Sequence, residues 1–217
     1  MKVLDLFSGL GGWSQAFKDR GHSVVTVDFE AKFNPTLCGD IQNLKREDFD
    51  KYGKFDIILA SPPCNCFSMM SVYRHWKDHK PNPETVVAIA LVKKTLTLIR
   101  SLNPRWWILE NPMGMLRTVI GKPEATITLC QYGERRMKPT DLWGKFPSTF
   151  IPKKCRNGAL CHERTPRGSH KGTQGLKTPE ERAKMPYNLS LELCLACERN
   201  ISTKDVLIEQ TLLEAME

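Results

Sequence analysis

Short apolar runs recur along the chain, and a segment with helical periodicity separates two of them. Four runs have the composition of buried strands and end at polar, glycine-rich or proline-rich positions: 2–7, 23–28, 55–60 and 105–109. Between the last two, residues 83–102 repeat apolar side chains at the spacing of a helix with one broad buried face. This alternation predicts a parallel, doubly wound α/β sheet.

The pattern changes in the second half of the chain. Two further strands are predicted at 125–129 and 140–146, followed from 151 to 178 by a basic, glycine- and proline-rich loop. Residues 188–199 and 203–216 have the pattern of two helices, the second with Ser202 or Thr203 as its N-cap. We therefore expect a main α/β domain over 1–146 and a small, irregular, basic region over 147–217.

Composition narrows the class of protein. The chain has 217 residues, of which 41% are hydrophobic and 26% charged, which fits one globular domain with an appendage and argues against a fibrous or largely disordered chain. No apolar window reaches the length of a membrane span, and Asp5 interrupts the N-terminal apolar run. We expect a soluble, cytoplasmic protein that an ordinary signal peptide does not export.

The net charge of +8 is concentrated in one stretch. Residues 133–171 contain ten basic and three acidic side chains. Such a block is typical of a surface that meets an acidic partner, although a basic surface that serves only solubility remains open.

Acidic side chains and glycines meet at the ends of the predicted strands. The run Asp5-Leu6-Phe7-Ser8-Gly9-Leu10-Gly11-Gly12 turns the first strand into the first helix, where glycines let a ligand approach the backbone. Asp28 and Asp40 end the next two candidate strands, where an acid can bond ribose hydroxyls. The pattern predicts a nucleotide-like cofactor at this edge.

Two later strand ends carry groups suited to chemistry. Cys64 follows a strand within Ser61-Pro62-Pro63-Cys64-Asn65-Cys66, a rigid polar setting that favours a nucleophile over a packed thiol. Glu110 ends the strand before Asn111-Pro112, and a carboxyl in that position suits a general acid facing the same pocket.

The three motifs DLFSGLGGWSQAF, SPPCNCFS and ENP, in this order, resemble those of the cytosine-C5 DNA methyltransferases over residues 1–146. The resemblance implies a Rossmann-like, S-adenosylmethionine-dependent methyltransferase domain. It implies that Cys64 attacks C6 of a flipped-out cytosine and Glu110 engages ring N3, beside Pro63 and Asn111, while a methyl group moves to C5. It assigns the following residues to the cofactor: Asp5, Phe7, Ser8, Gly9, Gly11, Gly12, Asp28, Phe29, Asp40, Ile41 and Pro62.

The chain departs from the family pattern in three places. Asn65 stands where the family usually has glutamine, and ENP where ENV is usual. The segment 132–140 resembles the family's QxRxR region out of register. No large target-recognition domain is recognisable, so residues 147–200 form a minimal substitute, or recognition is relaxed or supplied by a partner protein. This compact size suits a phage or prophage, and hence the cytoplasm of a bacterium or an infected host cell.

Basic side chains in and after the altered segment are the expected DNA contacts. They would meet phosphates and position the protein without reading sequence. The residues are Arg135, Arg136, Lys138, Arg156, Arg164, Arg167 and Lys171.

Two other functions stay open at this point. Ser61-Pro62-Pro63 also resembles the loop of amino-methyltransferases that modify adenine N6 or cytosine N4, although Cys64 replaces the expected aromatic residue. The altered arginine region would also fit a catalytically inactive or partner-dependent DNA-binding relative.

Cysteines of the basic region suggest a structural zinc ion. Cys155 and Cys161 could combine with Cys194 and Cys197, since thiolates are usual zinc ligands, and His162 follows Cys161. Cys194 and Cys197 also lie one helical turn apart, where both could simply pack.

Overall fold

The computed structural model describes residues 1–163 and 178–214, with side chains up to residue 201. The strands are β1 Lys2–Leu6, β2 Ser23–Asp28, β3 Leu37–Cys38, β4 Ile57–Ala60, β5 Trp76–Lys77, β6 Lys80–Pro81, β7 Trp106–Pro112, β8 Ala125–Thr128 and β9 Pro139–Lys145. The α-helices are α1 Gln15–Asp19, α2 Val72–His75, α3 Pro83–Leu102, α4 Leu116–Ile120, α5 Pro179–Ala183 and α6 Tyr187–Glu214.

Seven of these strands form one sheet in the order β3-β2-β1-β4-β7-β9-β8. Neighbours from β3 to β7 are parallel, whereas β9 is antiparallel to both β7 and β8. The strand order reverses direction at β1 and β4, and a crevice at the carboxyl ends of such strands is where open α/β sheets bind ligands. The predicted α/β, Rossmann-like class is confirmed, with one antiparallel strand in place of a wholly parallel sheet.

Both faces of the sheet are covered, as continuous apolar strands require. In β4, Ile57 and Leu59 join the core on one face, and Ile58 and Ala60 join the core on the other. Helices α1 and α6 cover the first face, where Phe17 and Leu189 are fully buried. Helix α3 covers the second.

Helix α3 has the predicted bounds because its ends are signalled locally. The Asn82 side chain accepts a hydrogen bond from the backbone N–H of Thr85, and Pro83 occupies the first turn. Asn103 ends the helix in the left-handed conformation.

The C-terminal prediction of two helices is wrong. One helix, α6, runs from Tyr187 to Glu214 through Ser202 and Thr203, so neither residue is an N-cap. Extending an existing helix costs less than nucleating a second one. Helix α6 shares a core with the sheet, and the predicted domain boundary at residue 146 stays a prediction.

Among the described residues, no helix combines the length and hydropathy that crossing a membrane requires.

Candidate active site

The conformation of the backbone makes the glycine loop after β1 turn sharply. Phe7, Gly9 and Gly11 all have positive φ, and the Gly11 N–H donates to the Ser8 carbonyl at 2.7 Å. At Gly12 a Cβ would lie 2.7 Å from the backbone of Met185, so only glycine lets the chain before α6 approach this loop.

Asp28 fixes the loop from the end of β2. Its carboxylate accepts the Gly9 N–H at 2.8 Å through Oδ2 and the Glu30 N–H at 3.0 Å through Oδ1. Phe29, the next residue, is an aromatic side chain left 65% exposed. An acid beside an uncovered ring at this edge suits the ribose and adenine of a nucleoside-like cofactor.

Asp5 lies below the loop rather than at its surface. It is 1% exposed, and the Ser14 hydroxyl donates to its Oδ2 at 2.6 Å. Burial raises the pKa of Asp5 to about 7, against the opposing effects of the Ser14 hydrogen bond and the Lys18 charge. Its contacts are those of a residue that supports the glycine loop.

A cleft of about 260 Å³ opens beside the loop. Its lining is Ser8, Gly9, Leu10, Gly11, Gln15, Lys18, Thr26, Lys32, Phe33 and Asn34. Three of the eleven predicted cofactor residues line it, namely Ser8, Gly9 and Gly11. The other eight do not: Asp5, Phe7, Gly12, Asp28, Phe29, Asp40, Ile41 and Pro62. Asp40 is exposed two residues beyond β3, and Ile41 is buried. Lys18 and Lys32 were missed because neither belongs to a recognisable motif.

The loop after β4 presents Cys64 at the same edge of the sheet. The Cys64 carbonyl accepts the backbone N–H groups of Phe67 and Ser68 at 3.0 and 2.9 Å, which closes a turn behind the thiol. Cys64 is half-buried, whereas Pro63 is exposed. Burial raises the pKa of the Cys64 thiol, the Lys138 charge opposes that rise, and the Glu110 charge adds to it.

Glu110 lies at the neighbouring strand end and is 4% exposed. Burial raises the pKa of its carboxyl, opposed by the charge of Lys138 and by the side chain of Ser61. Its buried Oε1 has no hydrogen-bond partner among the described residues. A buried, unpartnered acceptor is costly, so this atom fits a donor that a ligand brings.

Asn111 connects the end of β7 to the loop that carries Cys64. Its Nδ2 donates to the Pro62 carbonyl at 3.0 Å, and its buried Oδ1, like Glu110 Oε1, has no partner within the described part of the chain. Ser61 connects the Cys64 loop to the segment after the glycine loop, because its hydroxyl accepts the Trp13 Nε1–H at 2.6 Å. Sequence reasoning missed Ser61 and Trp13, since neither residue is reactive by itself.

Lys138 brings a positive charge to this centre. It is half-buried just before β9, and its Nζ donates to the Arg182 carbonyl at 3.4 Å. Its charge acts on both Cys64 and Glu110. The sequence placed Lys138 among the DNA contacts, and the structure also places it where it can stabilise a thiolate.

The two arginines before Lys138 differ in exposure. Arg135 is exposed and forms a bidentate ion pair with Glu163, with N···O distances of 2.6 and 2.8 Å. Arg136 is 9% exposed, pairs with Glu134 and donates to the Arg182 carbonyl. Burial and pairing hold the Arg136 guanidinium inside the protein, and its contact with DNA stays a prediction. Arg156 is exposed, and Arg164, Arg167 and Lys171 lie outside the described residues.

The predicted zinc ligands fall into two separate places, which corrects the proposed set. Cys155 and Cys161 lie together with Cys130 and His162. Cys194 and Cys197 are fully buried on α6 within the core against the sheet, because apolar packing fixes that helix face.

The arrangement can support addition of a thiolate to an electron-poor ring. In such an addition Cys64 would supply the nucleophile and Lys138 the stabilising charge. Glu110, whose raised pKa favours the protonated form, would supply a proton for a ring nitrogen.

Comparison with known proteins identifies the family of the chain. The family model for C-5 cytosine-specific DNA methylases matches residues 1–128. The probable DNA (cytosine-5)-methyltransferase of Frog virus 3 is 30% identical over 175 residues, which is 74% of this chain and 78% of the viral protein. The tRNA (cytosine(38)-C(5))-methyltransferase of Rattus norvegicus is 27% identical over 183 residues, but the match covers only 44% of that protein and 75% of this one.

A solved structure shows the same fold. It is a putative DNA modification methyltransferase encoded within an E. coli prophage, with a TM-score of 0.50 and 19% identity over 72% of this chain and 52% of that one. The family match over more than half of the chain, the similarity to the viral protein and the seven-stranded sheet lead to one assignment. The chain belongs to the C-5 cytosine-specific DNA methylase family.

Proposed function

We propose that this protein methylates C5 of cytosine in DNA with S-adenosylmethionine, through a covalent bond between Cys64 and C6 of the base. The observation that carries the proposal is the convergence of Cys64, Glu110 and Lys138 at the adjoining ends of β4, β7 and β9. Both the nucleophile and the acid respond to the Lys138 charge. This is the arrangement that addition to a pyrimidine ring needs.

The residues of the centre divide the work as follows. The Cys64 thiolate forms a bond to C6, while Glu110 donates its proton to, or shares it with, ring N3, which takes up the displaced electron pair. Lys138 favours the thiolate before addition. When C5 acquires the methyl group, N3 returns its proton to Glu110. C5 then loses its own proton to solvent and the C6–S bond breaks, which returns Cys64 as a thiolate.

The glycine loop and Asp28 would hold the cofactor, with the exposed ring of Phe29 beside it. Bound S-adenosylmethionine supplies a methyl group on a positively charged sulfur, which is the electrophile that the activated C5 requires. Gly9 and Gly11 have positive φ, which favours glycine, and these two positions bring no side chain to this edge.

DNA is the proposed substrate because the matching family and the viral relative are named for it. Exposed Arg135 and Arg156, with Lys138, would meet its phosphates, and the base must be flipped out to reach Cys64. The rat relative is named for tRNA, so RNA belongs in the test as a competing substrate.

The test is methyl transfer from labelled S-adenosylmethionine to mixed-sequence DNA and, separately, to tRNA, followed by nucleoside analysis. Wild type is compared with Cys64→Ser and with Cys66→Ala, the neighbouring thiol that is buried in the core. We expect 5-methylcytosine from DNA with wild type and Cys66→Ala, and none with Cys64→Ser. N4-methylcytosine or N6-methyladenine, 5-methylcytosine that survives Cys64→Ser, or product confined to tRNA would each contradict the proposal.

A further inference from the structure

Three thiols and one imidazole meet outside the proposed active site. Cys130 lies in the 3-10 turn Leu129–Tyr132 that follows β8, and Cys155, Cys161 and His162 lie on the irregular segment 151–163. One possible ligand atom from each of these four residues lies within 4.8 Å of all the others. We call these four residues the Cys3His cluster.

The spacing inside the Cys3His cluster is that of a tetrahedron around a metal ion. The Sγ atoms of Cys130 and Cys155 are 3.2 Å apart, and those of Cys130 and Cys161 are 3.8 Å apart. His162 Nδ1 lies 3.7 Å from Cys155 Sγ and 3.6 Å from Cys161 Sγ. Zn–S bonds of ~2.3 Å and Zn–N bonds of ~2.0 Å in tetrahedral geometry require edges of about 3.8 Å and about 3.5 Å. Three of the four distances agree closely with those edges.

The same distances exclude a disulfide in this structure. A disulfide joins its sulfurs at ~2.0 Å, well below the separations in the cluster, and Cys130, Cys155 and Cys161 are all free cysteines. Soft thiolates with one imidazole form the donor set that zinc prefers among the common protein metals.

Neighbouring polar groups are placed to orient the ligands. The Gln131 side-chain amide donates to Cys161 Sγ at 3.2 Å, and the Cys155 backbone N–H donates to Thr128 Oγ1 at 2.8 Å. Such outer contacts accompany metal sites, because they fix the ligands and stabilise their negative charge.

The other two described groups of possible ligands are less suited to zinc. In one, Glu198 forms ion pairs with Arg20 and His22, so its oxygens already have partners beside Cys194. The other has one thiol, Cys66, with His75 and with Glu84, which is exposed. Only the Cys3His cluster unites three thiols in the part of the chain that the structure describes.

We propose that the Cys3His cluster binds one structural zinc ion. The ion would fasten segment 151–163 to the end of β8, where backbone contacts also hold this irregular chain. Thr128 N–H donates to the Lys153 carbonyl at 3.1 Å, and the Glu163 N–H donates to the Arg135 carbonyl at 2.8 Å. Fixing this segment would also hold exposed Arg156, one of the residues proposed to meet DNA.

The site does not depend on the proposed methyl transfer, so its test reads metal directly. Full-length protein purified without chelators should contain one zinc per chain by elemental analysis. Cys155→Ser and Cys161→Ser should lose it, while Cys38→Ser, which removes an exposed thiol outside the cluster, should keep it. Replacement of zinc by cobalt in wild type should give the intense visible absorption of a tetrahedral thiolate site.

The cobalt spectrum keeps the proposal falsifiable if a variant fails to fold. Wild type that contains no zinc and takes up neither zinc nor cobalt stoichiometrically would overturn the site. Zinc that persists at one per chain in both serine variants, or a disulfide between Cys130 and Cys155 found by peptide mapping, would overturn it equally.

Discussion

Asp5 offers a quantitative test of how the glycine loop is supported. The carboxyl is buried under the loop and its pKa is raised to about 7 from an ordinary value of 3.8, mainly by loss of solvent. A raised pKa in an acid means that the folded protein binds the proton more tightly than the unfolded chain does. Folding stability from this group is therefore lost as pH rises from about 4 through about 7.

The size of the effect follows from the two pKa values. The difference of roughly 3 pKa units, at about 1.4 kcal/mol each, gives about 4 kcal/mol once the folded carboxyl is fully ionised. At about pH 5.5, where the unfolded chain is ionised but the folded carboxyl is not, the loss is about 2 kcal/mol. Replacing Asp5 by Asn removes this titration and leaves an oxygen that can accept the Ser14 hydroxyl.

Urea unfolding at about pH 5.5 and about pH 8.5 measures the difference. We expect Asp5→Asn to stabilise the protein relative to wild type, with a gain that grows by about 2 kcal/mol between the two pH values. Glu47→Gln, at an exposed acid, should change stability little at either pH. A variant that is less stable than wild type at the higher pH would refute the reasoning, because it would show that ionised Asp5 stabilises the fold.

Three further predictions concern the site and the loop. Glu110→Gln should lower kcat by roughly 10²- to 10⁴-fold, because the amide cannot transfer a proton to the ring. It should not lower the melting temperature, because the substitution removes a buried carboxyl with an unpartnered oxygen. Kinetics and calorimetry measure the two effects, and loss of stability without loss of rate would contradict the prediction. Lys138→Gln should slow the reaction by roughly 10²-fold and move its pH profile to higher pH, because the charge that opposes the rise in the Cys64 pKa is gone. An unshifted pH profile of single-turnover rates would show that Lys138 does not act on the thiol. Gly12→Ala should destabilise the protein by about 1–3 kcal/mol in urea unfolding, because the new Cβ meets the Met185 backbone at 2.7 Å. Gly39→Ala serves as the control, because its Cβ meets only the Leu44 side chain, at 3.5 Å.

The strand ends could be predicted from sequence because the chemistry there is local. Buried apolar runs end where polar residues begin, and parallel strands bring those ends to one edge. The pattern therefore placed Asp28, Cys64 and Glu110 on the same side of the fold. The Asn82 and Asn103 caps made the bounds of α3 equally readable.

Contacts that depend on antiparallel pairing could not be predicted. Pairing of β8 with β9 sets Thr128 opposite Pro139, which brings Lys138 and Cys130 to the same end of the hairpin. Periodicity does not specify that register. Lys138 was therefore assigned only to DNA, and Cys130 was left out of the zinc ligands.

The C-terminal cysteines show that one sequence pattern can fit two different structures. Their C-x2-C spacing is shared by zinc sites and by one turn of a helix. Burial of Cys194 and Cys197 at 0% exposure against the sheet decides for packing. Only the three-dimensional arrangement separates these two possibilities.

The covalent bond between Cys64 and the target base is the central claim, and trapping it is the most direct test. The enzyme is incubated with S-adenosylmethionine and DNA that carries 5-fluorocytosine, in which fluorine replaces the proton at C5. Because fluorine cannot leave as a proton does, the C6–S bond should not break, and the enzyme should stay bound to the DNA through it. We expect a denaturation-resistant adduct whose peptide map shows Cys64, with wild type and Cys66→Ala but not with Cys64→Ser. Absence of an adduct from protein that methylates ordinary DNA, or an adduct that maps to another residue, would contradict the account.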